Sequence, residues 1–230
     1  MTRNPLIVAL DVPNEDDARS IVKRVGTSID FYKVGMELYA SAGMAFVKEL
    51  LGSGKQVFLD MKFYDIGETV KRAVAQVANS GVHLLTVHGS GAVMRAAVEG
   101  RGGHALKLLA VTVLTSFDES DLLDLGYPCS VEELVALRTR KAMEAGIDGL
   151  VCSPLEVARV RALAGDQAIL VIPGVRSADA SKGDQKRVAT PAEAMRDGAT
   201  YLVIGRQVTR AADPKAEAEK ILEEIQTVRR

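Results

Sequence analysis

The sequence has few cysteines, almost no net charge and no long apolar run, and each shortage excludes a class of function. Its two cysteines, Cys129 and Cys152, show no metal or redox spacing. We therefore expect free thiols in a reducing compartment. The formal net charge of the 230 residues is -1, so the chain as a whole offers no electrostatic support for binding nucleic acid.

Apolar residues never form a run that approaches the roughly 18 to 20 residues of a membrane-spanning helix. The first five residues lead straight into a strand-like segment, without a signal peptide between them. We therefore expect a cytoplasmic protein with no membrane contact. Hydrophobic residues make up 47% and charged residues 26% of the chain, which is typical of a globular protein with a real core. No linker or low-complexity segment interrupts it, so we expect one domain over residues 1–230.

Short apolar runs alternate with helix-like stretches along the whole chain. The runs expected to be strands cover residues 6–12, 31–34, 56–61, 83–87, 106–114, 149–152, 169–172 and 201–204. The clearest helical segments cover residues 14–25, 68–80, 131–145, 191–197 and 214–228. Strict alternation requires parallel strands joined by helical crossovers.

Eight such units in 230 residues predict an α/β protein of the (β/α)8 TIM-barrel class. A doubly wound open sheet is the alternative. It is disfavoured because Asp11-Val12-Pro13-Asn14 stands after the first strand, where that fold places a G-x-G-x-x-G motif.

The segment from Asp60 to Asp65 places two acids and a lysine within six residues, directly after an apolar strand. Charges at the end of a buried strand are expensive unless they are paired or functional. If the strand continues to Lys62, its period of two puts Asp60 and Lys62 on one face, opposite Leu59 and Met61. The segment therefore predicts a compact charged site.

Other strand ends carry complementary chemistry, and functional groups of a (β/α)8 barrel lie at these ends. The first two strands end at Asp11 and Lys33, whereas the last two are followed by glycine and arginine, in Pro173-Gly174-Val175-Arg176 and in Gly205-Arg206. Glycines at these two positions suit a phosphate site. The pattern predicts a phosphorylated substrate at one side of the barrel mouth and ionic chemistry at the other, with no redox cofactor and no metal.

The motif D-x-K-x-x-D-I-G-x-T, from Asp60 to Thr69, resembles the signature of orotidine 5'-monophosphate decarboxylases. The likeness extends along nearly the whole chain. It includes Leu10-Asp11, Lys33-Val34-Gly35, Leu114-Thr115-Ser116, Val151-Cys152-Ser153, Pro173-Gly174-Val175-Arg176, Gly183-Asp184-Gln185-Lys186-Arg187, Thr190-Pro191 and Ile204-Gly205-Arg206.

The resemblance implies conversion of orotidine 5'-monophosphate to uridine 5'-monophosphate and carbon dioxide, the last step of de novo pyrimidine synthesis, without metal or organic cofactor. Lys62 would stabilise the developing carbanion and then protonate it. Asp60 would orient Lys62 and face the substrate carboxylate. Lys33 and Asp65 would complete an alternating Lys-Asp-Lys-Asp array in which every charge is paired.

The resemblance also implies a homodimer with shared active sites, in which Asp65 and Thr69 serve the neighbouring subunit. Asp11, Lys33 and Thr69 would contact the ribose and Thr115 the pyrimidine edge, while Gln185, Arg206 and the amides near Gly205 would hold the phosphate. Ile66, Pro173 and Arg176 complete the implied substrate-binding set. Residues 174–188 would form a lid that closes on the phosphate.

Two alternatives stay open. A sugar-phosphate decarboxylase or aldolase, such as 3-keto-L-gulonate 6-phosphate decarboxylase or hexulose phosphate synthase, shares D-x-K-x-x-D but uses magnesium and lacks the D-I-G-x-T continuation. A catalytically silent barrel that binds a phosphorylated metabolite would be expected to lose part of the Lys-Asp array.

His88 and Ser153 also lie at strand ends, but structural roles are as plausible for them, and we leave both out of the site.

Overall fold

Eight parallel strands close into a barrel in which neighbours follow chain order and the last strand pairs with the first. The computed structural model describes residues 4–177 and 189–228. Its strands are β1 Leu6–Ala9, β2 Phe31–Gly35, β3 Gln56–Phe63, β4 Leu84–His88, β5 Lys107–Val111, β6 Gly149–Val151, β7 Ile169–Ile172 and β8 Tyr201–Ile204. The predicted (β/α)8 barrel is confirmed.

Helices cover the outside of the barrel and connect successive strands. In the described residues they are α1 Glu15–Val25, α2 Met36–Gly52, α3 Gly67–Ala78, α4 Gly91–Arg101, α5 Glu119–Asp124, α6 Val131–Glu144, α7 Val157–Ala164, α8 Pro191–Arg196, α9 Arg206–Thr209 and α10 Pro214–Gln226. Capping side chains mark several starts: Asn14 accepts a hydrogen bond from the Asp17 amide, and Ser130 and Thr190 each begin a capping box. None of these helices has the length and apolar character that crossing a bilayer requires.

Apolar side chains fill two layers, one inside the barrel and one between strands and helices. Successive strand residues alternate between them, so Ile7 points inward and Val8 outward. At the N-terminal end of the barrel, the rings of Phe31 and Tyr201 meet edge to face with 5.5 Å between their centroids. This aromatic contact helps to fill that end.

Two predicted strands extend three residues too far at their C-terminal ends, because burial continues past the last paired residues. β1 stops at Ala9 although Leu10 is fully buried, and β5 stops at Val111 although Val113 is only 3% exposed. Apolar residues at the barrel mouth pack without belonging to a strand. β3, in contrast, runs beyond the predicted Met61 to Phe63.

β3 is irregular where the predicted site begins. Its pairing with β4 joins Leu59 to Leu85 and next joins Phe63 to Val87, so four steps along β3 oppose two along β4. Within this bulge Lys62 adopts a φ of 50°, a left-handed conformation that no other non-glycine residue shows in the described parts of the chain. Simple strand alternation was therefore the wrong reason for placing Asp60 and Lys62 together, although their side chains do meet.

Candidate active site

A cavity of about 580 Å³ opens at the C-terminal mouth of the barrel. The size suits a small-molecule site. It is lined by nine of the residues singled out from the sequence, namely Asp11, Lys33, Asp60, Lys62, Thr115, Pro173, Arg176, Gly205 and Arg206. The predicted charged side and the predicted phosphate side thus belong to one cavity.

Four side chains of alternating charge form a chain across the floor of this cavity. Lys33 Nζ lies 2.7 Å from Asp11 Oδ1 and 3.6 Å from Asp60 Oδ2. Asp60 Oδ1 in turn lies 2.9 Å from Lys62 Nζ. Lys33 lies in β2, Asp60 and Lys62 lie in β3, and Asp11 follows the end of β1. These positions are adjacent at the barrel mouth, which is why residues far apart in sequence come together here.

Asp60 lies between the two lysines of this row and interacts with both. Burial favours its neutral form, but the Lys33 and Lys62 cations and hydrogen bonds from Lys62 and Thr86 outweigh burial and lower its pKa. A carboxylate therefore persists here, 15% exposed, between two ammonium groups. Such a site can oppose a second carboxylate and hold a cation close to it.

Gly35, at the end of β2, leaves the space that the Asp11–Lys33 pair occupies. A Cβ at this position would lie 2.9 Å from Asp11 Oδ1 and 2.9 Å from Lys33 Nζ. The φ of Gly35 is -98°, which any residue can adopt. Glycine is therefore required here by the close approach of the Asp11 and Lys33 side chains, and not by the backbone conformation. The sequence alone did not assign Gly35 to the site.

Substitution Gly35→Ala is expected to lower kcat/KM by about 10- to 100-fold, since displacing a substrate-positioning group by about 1 Å can have an effect of this size. The melting temperature should change little, because the methyl group meets the movable ends of two side chains. Steady-state kinetics and thermal unfolding check both points. Gly52→Ala is the matched control, because a Cβ there meets nothing within 4 Å. Equal kinetics for the two variants would contradict the role of Gly35.

Thr86 is a second residue that the sequence reading missed. It is fully buried in β4, where its hydroxyl donates to Asp60 Oδ1 and accepts from the Lys62 amide, both at 2.9 Å. A threonine inside a strand is unremarkable in sequence, so no local signal marks it.

Three predicted residues lie outside the cavity of their own chain. Asp65, Ile66 and Thr69 are exposed, and none of them is among the described residues that line it. The Asp65 carboxylate accepts a hydrogen bond from the Ile66 amide at 2.6 Å, while the Ile66 side chain is 78% exposed. Within one chain the structure therefore does not bring Asp65 to Lys62.

The predicted phosphate side of the cavity lies after β7 and β8. Pro173 and Arg176 line the cavity after β7, and Gly205 and Arg206 line it after β8. The Arg176 amide donates to the Ala189 carbonyl at 3.1 Å, which ties the start of the predicted lid to its end. Gln185 and most of that lid fall in 178–188, outside the described residues.

Comparisons with known proteins agree with this geometry. The model of the Orotidine 5'-phosphate decarboxylase / HUMPS family matches residues 4–221. The chain belongs to this family. Orotidine 5'-phosphate decarboxylase of Nitrobacter winogradskyi is 51% identical over 225 residues, covering 98% of this chain and 94% of that protein. The protein of the same name from Caulobacter vibrioides is 50% identical over 230 residues, covering 98% and 99%.

Solved structures of family relatives share the fold. The crystal structure of orotidine 5'-phosphate decarboxylase from Lactobacillus acidophilus has a TM-score of 0.84 and 38% identity, covering 97% of this chain and 99% of that one. An uncharacterized conserved protein from Geobacillus kaustophilus has a TM-score of 0.83 and 37% identity, with coverage of 96% and 100%. The whole barrel, and not a fragment of it, matches the orotidine 5'-phosphate decarboxylase fold.

Residues left out of the site have structural contacts in this family member. His88 stacks on Tyr64 with 4.2 Å between ring centroids, and burial together with the charge of Arg138 lowers its pKa to about 4. Ser153 is fully buried and begins a 3-10 turn through a capping box. Neither Cys129 nor Cys152 forms a disulfide, as expected. Among the described residues, no three His, Cys, Asp or Glu side chains are grouped as a metal site requires.

Proposed function

We propose that this chain decarboxylates orotidine 5'-monophosphate to uridine 5'-monophosphate and carbon dioxide, in de novo pyrimidine biosynthesis. The observation that carries the proposal is the position of Lys62, whose ammonium lies 2.9 Å from the half-buried carboxylate of Asp60 in a nucleotide-sized cavity. The names of relatives at about half identity over nearly the full length support the same reaction.

The reaction breaks the bond between C6 of the pyrimidine and its carboxylate carbon. Carbon dioxide leaves, and the electron pair of that bond stays on C6. A fixed cation beside C6 stabilises this charge more than it stabilises the substrate, which lowers the barrier. Lys62 supplies that cation and then transfers a proton from Nζ to C6, so that uridine 5'-monophosphate is formed.

Asp60 serves the same step in two ways. Its ionised carboxylate accepts a hydrogen bond from Lys62 Nζ and so directs the ammonium. It also faces the position of the substrate carboxylate, which favours loss of that charge as carbon dioxide. Lys33, shared between Asp60 and Asp11, keeps the row of charges balanced.

The remaining cavity residues hold the substrate away from the reacting bond. Asp11 and Lys33 contact the ribose, and Thr115 contacts the pyrimidine edge. Pro173, Arg176, Gly205 and Arg206 form the phosphate end, which Gln185 completes. Phosphate binding at this remote end supplies energy that can be used in the transition state at C6.

A second copy of the chain completes each site in this proposal. Asp65, Ile66 and Thr69 are exposed beside the cavity rather than in it. Tyr64 and Ile66, which flank Asp65, are 67% and 78% exposed, and large apolar side chains grouped on a surface are typical of a contact with a partner. A homodimer would bury them and bring Asp65 to the partner's Lys62. We place the dimer in the cytoplasm, because Cys129 and Cys152 form no disulfide.

Purified chain mixed with orotidine 5'-monophosphate is expected to consume it, which is followed as a fall in ultraviolet absorbance, and to do so equally with a chelator present. Loss of turnover on chelation, with recovery in magnesium, would contradict a reaction that needs no metal. Binding of uridine 5'-monophosphate without any turnover of substrate would favour the silent barrel.

A further inference from the structure

The bulge in β3 leaves backbone groups of the catalytic segment without partners in the β4 ladder. Regular pairing stops at Leu59 and resumes at Phe63. Lys62 lies inside this gap with a φ of 50°, a conformation that is unfavourable for a residue with a side chain and persists only where the surroundings hold it. Lys62 is only partly exposed, so its amide needs a hydrogen-bond acceptor.

The hydroxyl of Thr86 is that acceptor. It lies 2.9 Å from the Lys62 nitrogen and also 2.9 Å from Asp60 Oδ1. A hydroxyl has one hydrogen and two lone pairs. The Lys62 amide can only donate a hydrogen bond, and the Asp60 carboxylate can only accept one. The direction of both hydrogen bonds is therefore determined.

These contacts close a ring around the catalytic lysine. Thr86 holds the Lys62 main chain and the Asp60 carboxylate, and the same carboxylate oxygen accepts from Lys62 Nζ at 2.9 Å. The lysine is therefore held at both ends of its side chain. Thr86 is fully buried, and it is not among the described residues that line the cavity, so it acts without touching substrate.

We propose that Thr86 is a positioning residue for decarboxylation, and that its hydroxyl fixes the ammonium of Lys62 by bridging the Lys62 amide to the Asp60 carboxylate. This role rests on the proposed function, because it concerns the same reaction. It depends on the hydroxyl and not on the volume of the side chain, which separates it from ordinary packing.

The test compares Thr86→Val, which keeps the shape but removes the hydroxyl, with Thr86→Ser, which keeps the hydroxyl. Thr86→Val is expected to lower kcat by about 10²-fold through misplacement of Lys62, with KM within about threefold of the parent value. Thr86→Ser should restore kcat to within about fivefold of the parent. If Thr86→Val does not fold, Thr86→Ala is used in its place, because it removes the same hydroxyl.

Thr139→Val is the matched control, because Thr139 is also fully buried but its hydroxyl has no hydrogen-bond partner. It should leave kcat unchanged. Parent-like kcat in Thr86→Val would overturn the proposal, and so would an equal loss in Thr86→Ser, which would indicate packing alone.

Crystal structures of the parent and of Thr86→Val separate this proposal from the proposed function. If the parent does not turn over orotidine 5'-monophosphate, the function is wrong, yet the positioning role can still be judged from geometry. A Lys62 that leaves the left-handed conformation, or an Nζ that moves beyond 4 Å from Asp60, supports the role. Unchanged geometry at Lys62 in Thr86→Val overturns it.

Discussion

Lys62→Ala is expected to lower kcat/KM for orotidine 5'-monophosphate by at least about 10⁴-fold, because one side chain provides both the fixed cation and the proton. The loss should appear mainly in kcat, since the ribose and phosphate contacts remain. The row of charges also becomes unbalanced, because Asp60 loses the ammonium that lies 2.9 Å away. Formation of uridine 5'-monophosphate is measured by chromatography over long incubations, which detects slow turnover.

Lys107→Ala is the control for this substitution. Lys107 is also an ion-paired strand lysine, 2.9 Å from Asp148, but it stands at the N-terminal end of β5, opposite the cavity. The Lys107→Ala variant should retain the kinetics of the parent. Calorimetric binding of uridine 5'-monophosphate to the Lys62 variant shows whether the cavity is intact. Turnover by Lys62→Ala at the parental rate would remove Lys62 from the mechanism.

Mixing two inactive variants is expected to restore activity if the sites are shared between subunits. Asp65→Ala and Lys62→Ala should each be nearly inactive alone, because every site of either homodimer has one defect. After random subunit exchange, half of the dimers are hybrids, and in each hybrid one site carries both substitutions and the other carries neither. About one quarter of the parental activity should return, as two-fold symmetry requires.

The control mixture combines Asp60→Ala with Lys62→Ala. Both residues line the cavity of their own chain, so every site of the hybrid keeps a defect and no activity should return. An Asp65→Ala/Lys62→Ala mixture that stays inactive after exchange would contradict the shared site. Full activity of Asp65→Ala alone would show that Asp65 is not needed.

The barrel could be predicted from sequence because its strands are buried on both faces. Such strands are continuous apolar runs, and their alternation with capped helices leaves few architectures. Strand ends were harder to predict, since Leu10 and Val113 are still buried beyond the last paired residues of β1 and β5. Burial and hydrogen bonding give the same apolar signal in a single sequence.

The strands could be predicted because they are apolar, whereas the charged residues of the candidate site could be predicted because they are not. Asp60 and Lys62 interrupt an apolar context that disfavours charge. Gly35 and Thr86 gave no such signal. Their roles depend on distances to groups on neighbouring elements. Gly35 lies close to the Asp11–Lys33 ion pair, and Thr86 lies close to the Lys62 amide in the bulge. The left-handed backbone of Lys62 was equally invisible, since glycine is the residue that usually indicates it.

Lys33 contacts two acids: Asp11, which we propose binds the ribose, and Asp60, which we propose acts at the reacting bond. Because one buried ammonium lies between them, the two acids are thermodynamically coupled, and a ribose hydroxyl that hydrogen-bonds to Asp11 is expected to change the electrostatic stabilisation of Asp60 as well. Selectivity for the sugar and acceleration of the chemistry are then not independent properties of this enzyme. We expect the effects of substitutions at the two acids to be non-additive. A substrate with an altered sugar should bind more weakly and should also be decarboxylated more slowly.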